Sequence, residues 1–132
     1  MRNPILLFSL GLTLLFTVQS FSQNKPKHIG CWKVTELKIF QKDETSKKAE
    51  IEAKNAIICF FEDGTFSNKN SKNNIEILKG LYTISEDNKT INQWRDEDDE
   101  EDAIPMKIVR LTEKEFIIET EGIAKMTLQK ID

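Results

Sequence analysis

The feature that most limits what this chain can become is an alternation of apolar and polar residues with period two. It comes in short bursts cut by turn residues, from Ile29 to the C-terminus. Successive side chains of a strand point to opposite faces, so such bursts read as strands with one buried and one wet face. Eight are predicted: Ile29–Phe40, Asn55–Glu62, Thr65–Asn70, Ile75–Ser85, Thr90–Arg95, Ile104–Thr112, Glu115–Thr120 and Ile123–Ile131. Asp63-Gly64 joins the second to the third as a hairpin, because glycine accepts a positive φ without steric cost. In the sixth, Ile104, Met106 and Ile108 share one face, and in the eighth Ala124, Met126 and Leu128 do the same. The first strand breaks phase where Trp32 and Val34 give way to Leu37 and Ile39, as a bulge between Thr35 and Glu36 requires. The stretch Asp43 to Lys54 is rich in helix formers but holds one large apolar residue, Ile51, and is expected to stay a polar loop rather than a lid helix. The expected fold is all-β, an eight-stranded antiparallel up-and-down meander closed into a barrel. Closure removes unpaired strand edges; an open sandwich is the alternative.

At 132 residues the chain has room for one such domain. Residues 1–22 differ in kind. Arg2 is followed by the apolar run Ile5 to Val18, and Gln19-Ser20-Phe21-Ser22 sets small residues at a cut after Ser22. That pattern reads as a secretory signal peptide, and a run of 14 residues falls short of the ~20 that span a bilayer. The expected organisation is therefore signal peptide 1–22, flexible leader 23–28 and barrel domain 29–132. The protein is expected to be exported, to the periplasm or beyond, with no membrane span in the mature chain.

Net charge is −3, which argues against a nucleic-acid binder working through a basic face. Seven of the acids are contiguous, Asp96 to Asp102, so the acidity is local. Carboxylates at alternate positions can gather around Ca²⁺, but the run lacks the glycine and spacing of an EF-hand loop and reads as a solvated connector. The single histidine, His28, excludes a His-rich metal site and lies in a basic leader with no acid beside it, where it reads as a surface residue. Ser67, Ser71 and Ser85 lack the glycines of a nucleophile elbow. No enzyme activity and no cofactor are expected.

Gly30-Cys31-Trp32 opens the first strand, Phe60-Phe61-Glu62-Asp63-Gly64-Thr65-Phe66 forms a hairpin, and Gly80-Leu81-Tyr82 and Ile108-Val109-Arg110-Leu111-Thr112 follow in order. This succession resembles small exported bacterial lipocalin-like domains, whose barrels start at a Gly-x-Trp motif; the Thr-Asp-Tyr motif of lipocalins is absent. The resemblance implies a barrel that holds a small hydrophobic molecule at its open end. Gly30 would let the backbone bend into the barrel, Trp32 would stopper the closed end, and Lys130 would cover that indole as a late cation does in lipocalins.

Inward-facing residues are the first candidate site: Trp32, Phe60, Phe66, Leu78, Tyr82, Ile108, Phe116, Met126 and Leu128 either line an apolar cavity or fill the barrel. The Tyr82 hydroxyl, needing a partner when buried, could orient a ligand. Cys31 and Cys59 form a possible disulfide: if the first two strands pair about a midpoint near Thr45, these residues fall opposite one another. The functional expectation is an exported binding module for a small hydrophobic ligand. The alternative is a non-catalytic structural or interaction protein with a filled barrel, meeting a protein partner through the acidic loop 96–102 or its strand edges.

Overall fold

The computed structural model describes residues 25–131; the signal-peptide segment 1–22 and the first two leader residues lie outside them. Each predicted strand forms, trimmed by up to two residues at its ends. They are β1 (Gly30–Ile39), β2 (Ala56–Phe60), β3 (Thr65–Asn70), β4 (Glu76–Ile84), β5 (Thr90–Arg95), β6 (Ile104–Leu111), β7 (Glu115–Thr120) and β8 (Ala124–Ile131). Every neighbour in the order β1 to β8 pairs antiparallel, and β8 returns to β1, so the sheet closes into a barrel.

Three bulges shape the ring. The pairing shifts between Val34 and Glu36 on β1, so Thr35 is the surplus residue that restores Leu37 and Ile39 to the inner face. The β3–β4 ladder passes over Ile77, and the β6–β7 ladder passes over Val109. Two glycines are required by their surroundings. Gly30 has φ +127°, and a Cβ there would sit 2.7 Å from the Lys130 side chain. Gly80 has its backbone against β5, where a Cβ would come within 2.2 Å of the Trp94 carbonyl oxygen.

The stretch expected to be a loop is a helix, α1 (Glu44–Ala53). The expectation rested on apolar periodicity, and α1 is held by other means: its one large apolar residue, Ile51, is 70 % exposed. Asp43 caps the helix by accepting from the Ser46 N–H at 2.7 Å, which keeps its carboxyl below the usual aspartate range. Glu50 accepts from the Ile39 N–H at 2.7 Å and from Lys42 Nζ at 3.1 Å, tying the helix to the end of β1. Ala53 packs on the core.

Cys31 and Cys59 lie opposite one another in the β1–β2 ladder, with Cα atoms 4.0 Å apart, and are joined in a disulfide on the face away from Trp32 and Ile58. The bridge closes a loop spanning 28 positions that contains α1. Cross-linking a loop of that length restricts the unfolded chain by about 3–4 kcal/mol. Replacing both cysteines by serine should lower the free energy of unfolding by that amount in a urea titration monitored through tryptophan fluorescence, with the circular-dichroism spectrum of the barrel retained.

Candidate functional site

Alternation gives the barrel interior two unequal halves. Toward the end where β1 starts and β2 stops, Trp32, Val34, Phe60, Ile91, Phe116 and Leu128 are all at or below 1 % exposure. Their rings meet edge to face: Trp32 and Phe116 have centroids 5.4 Å apart, and Phe60 and Tyr82 5.1 Å apart, with Phe60 and Phe116 tilted at 5.8 Å. The Trp32 indole donates to the His28 carbonyl at 3.0 Å, and Lys130 Nζ stands 4.8 Å above the ring while donating to the Ile29 carbonyl. This end is a floor stoppered by an indole.

Tyr82 closes the same end. Its hydroxyl donates to the Phe61 carbonyl at 2.7 Å and lies 3.0 Å from His28 Nε2, so both of its hydrogen-bonding roles are taken within the chain. Burial, then Asp63 and Glu62, push its pKa up to about 12. His28 is therefore not the free surface residue expected. It is half-buried, edge-on to the Tyr82 ring at 5.4 Å, and burial followed by the nearby Lys130 charge lowers its pKa. Its partner lies 54 positions away, beyond the reach of local sequence reading.

The opposite half is built differently. Leu78, Met106 and Met126 pack on the core yet stay half-buried; Leu37 and Ile39 are half-buried as well. Ile104, next along the inner face of β6, is 58 % exposed. Of the residues expected to line a cavity, Trp32, Phe60, Phe66, Tyr82, Ile108, Phe116 and Leu128 belong to the buried core, and Leu78 and Met126 to this open tier. Polar residues also share the inner face here and were passed over by a reading confined to apolar positions. Asn68 and Asn70 follow Phe66 at period two, Gln93 follows Ile91, and Thr120 follows Ile118. The same alternation that located the apolar residues could have found them.

The wall parts at this end. The β6–β7 ladder runs only from Lys107↔Glu119 to Ile108↔Ile118 and on to Leu111↔Phe116. Ahead of Lys107, β6 pairs with β5 alone, and a groove of about 560 Å³ opens between Ile104, Pro105 and Met106 on one side and Glu119, Thr120 and Glu121 on the other. Pro105 offers no N–H to this unpaired edge. The acidic run stands beside it as a connector with one 3₁₀ turn, Glu100–Asp102, and Arg95 bridges to Asp98 at 2.9 Å and Glu97 at 3.4 Å. Among the described residues no cluster of three or more His, Cys, Asp or Glu is arranged to hold a metal, and no helix is long and apolar enough to cross a membrane.

The His28–Tyr82 contact makes a prediction about acid. The folded state disfavours the imidazolium, so below pH 6.5 the unfolded chain takes up a proton that the folded chain resists, and stability falls with pH. In His28→Asn the loss of stability between pH 7 and pH 5 should be smaller than in the wild type, as read from urea midpoints at the two pH values; equal losses would remove His28 as a source.

No protein-family model matches the chain, and no curated protein matches it. Solved structures do. A lipocalin-like protein from Bacteroides uniformis aligns with a TM-score of 0.56 at 15 % identity, covering 80 % of this chain and 100 % of its own. A duf4847 family protein from Bacteroides vulgatus aligns with 0.54 at 15 % identity, covering 80 % and 96 %. A protein from Bacteroides uniformis with an NMR structure aligns with 0.53 at 23 % identity, covering 81 % and 91 %. With its stoppered end, its Gly-x-Trp start and its eight strands in sequential order, this chain has the lipocalin-like barrel fold.

Proposed function

We propose that the protein is an exported, non-catalytic binding barrel that takes a small hydrophobic molecule at the end opposite Trp32. The observation that carries the reading is the exposure along the inner face: 0 % at Trp32, Phe60 and Phe116, half-buried at Leu78, Met106 and Met126 and 58 % at Ile104, with Ile84 and Leu111 at the margin of the floor also half-buried. A barrel filled for stability alone gains most by sealing both ends, since apolar surface left in water forfeits roughly 25 cal/mol per Å². A mouth with apolar walls left accessible, beside a gap between β6 and β7, suits a molecule that is desolvated as it enters. Export is supported by the N-terminal segment and by the Cys31–Cys59 bridge, since disulfides persist in oxidising compartments.

A second reading has its own support. Phe40, Ile51, Ile75, Ile77, Ile104 and Ile123 are all at least 40 % exposed and belong to segments at the open end, where the acidic run also lies. Such a rim suits a protein partner meeting a filled barrel through the 96–102 loop.

The two separate on one titration. Adding 1-anilinonaphthalene-8-sulfonate to the wild type should raise dye fluorescence saturably, and Met126→Trp, which fills the lumen, should abolish the rise while lowering the free energy of unfolding from urea titration by no more than about 3 kcal/mol. A wild type that does not bind the dye, or a Met126→Trp variant that binds it unchanged, would overturn the lumen reading in favour of the rim.

A further inference from the structure

We propose that the side-chain oxygen of Asn68 is the acceptor for a hydrogen-bond donor on the bound molecule, so that the lumen selects apolar molecules carrying an N–H or O–H group over plain hydrocarbons. This rests on the binding reading above and deepens it.

Asn68 sits at the middle of β3, on the inner face between Phe66 and Asn70. Its neighbours across the two ladders are Ile58 on β2 and Leu78 on β4, both apolar. It therefore interrupts an otherwise apolar row one pleat above the aromatic floor. Its Oδ1 is buried to below 1 Å² of exposed surface, and among the described residues nothing donates to it. Buried polar atoms in folded proteins are nearly always paired, because an amide oxygen taken from water without a replacement donor is strongly disfavoured. An apolar side chain here would pack against Ile58 and Leu78 without that loss.

The depth of the residue sets the kind of partner. Asn70, opposite Ala56, stands one step nearer the mouth, about 7 Å along the strand. Because Oδ1 is closed to water in this conformation, a donor reaches it only as neighbouring half-buried side chains such as Leu78 move aside, and the molecule's hydrocarbon part then takes the apolar surface they give up. Recognition would then divide in the usual way: apolar contact gives affinity, and one placed polar atom gives orientation and choice. A site with a buried group waiting for a donor also rejects the analogue that lacks it, because that analogue leaves the group unpaired.

Three probes of one shape test this by NMR titration of the full chain after export: 2-naphthol, which donates, 2-methoxynaphthalene, which only accepts, and 2-methylnaphthalene, which does neither. Each is titrated into wild type, Asn68→Leu and Asn68→Asp. The affinity ratio of naphthol to methylnaphthalene should fall about tenfold from wild type to Asn68→Leu, the size of one net hydrogen bond, while methylnaphthalene binds Asn68→Leu at least as tightly. Asn68→Asp keeps an acceptor and should keep the naphthol preference, which serves as the test should Asn68→Leu fail to fold. A ratio unchanged in Asn68→Leu, or lost in Asn68→Asp, overturns the assignment and leaves Asn68 as the partner of a bound water only. Methoxynaphthalene matching naphthol in wild type also overturns it, since the amide would then present its N–H. If none of the three binds the wild type, the lumen reading itself falls, a result distinct from the others.

Discussion

The barrel depends on β1 pairing on both sides at once. Its first part, Gly30 to Lys33, hydrogen-bonds β2, while its whole length from Cys31 to Ile39 follows β8. A regular strand could not hold both ladders and keep one inner face, because the sheet must turn where it closes. The extra residue at Thr35 supplies the bend and leaves Trp32, Val34, Leu37 and Ile39 all facing inward. Without that last ladder the sheet would have two open edges and no interior. The other two bulges share the curvature and explain two oddities of the surface: the surplus residues, Ile77 and Val109, are 64 % and 43 % exposed. They are apolar side chains that the ladder stepped over.

Closure alone does not decide which end is sealed; the aromatic residues do. Trp32 is too large to leave room beside Phe60 and Phe116, and its one polar atom is satisfied by the His28 carbonyl, so the indole can be wholly buried. The leader then has a structural task, since the turn ending at His28 brings that carbonyl and the imidazole over the floor. Lys130, opposite Trp32 in the β1–β8 ladder, covers the indole from the last strand. The floor thus joins the first strand, the last strand and the leader.

Much of this was legible in the sequence, for a definite reason. Period-two alternation is a local signal, and it located eight strands, the Asp63-Gly64 turn and the bulge near Thr35; antiparallel pairing then set Cys31 against Cys59. What escaped is what alternation does not encode. Helix α1 is held by a cap at Asp43 and a tether from Glu50 to Ile39, while the residue that a periodicity argument relies on, Ile51, faces water. The sequence signal was there in another form, an aspartate three residues before Ser46 with Glu44 in the first turn. His28 escaped because its partner belongs to β4. Asn68 escaped because a search for a greasy wall passes over an amide, though Phe66 two residues earlier fixes its direction.

The placement of polar groups inside the barrel argues against a core shaped by stability alone. Ascending from the floor, the inner face offers aromatic rings, then Asn68 among Ile58 and Leu78, then Asn70, Gln93 and Thr120 among half-buried methionines and leucines, and finally exposed isoleucines beside a strongly acidic loop. Stability would order these differently, moving amides to the rim and closing the isoleucines over the lumen. Solubility alone would remove the isoleucines. On the proposal made above, the upper lumen would be completed by a molecule the chain does not itself supply, with a polar atom deep and hydrocarbon around it. Floor and mouth are then two parts of one design: the first makes the fold stable enough that the second can leave apolar and amide surface without a partner.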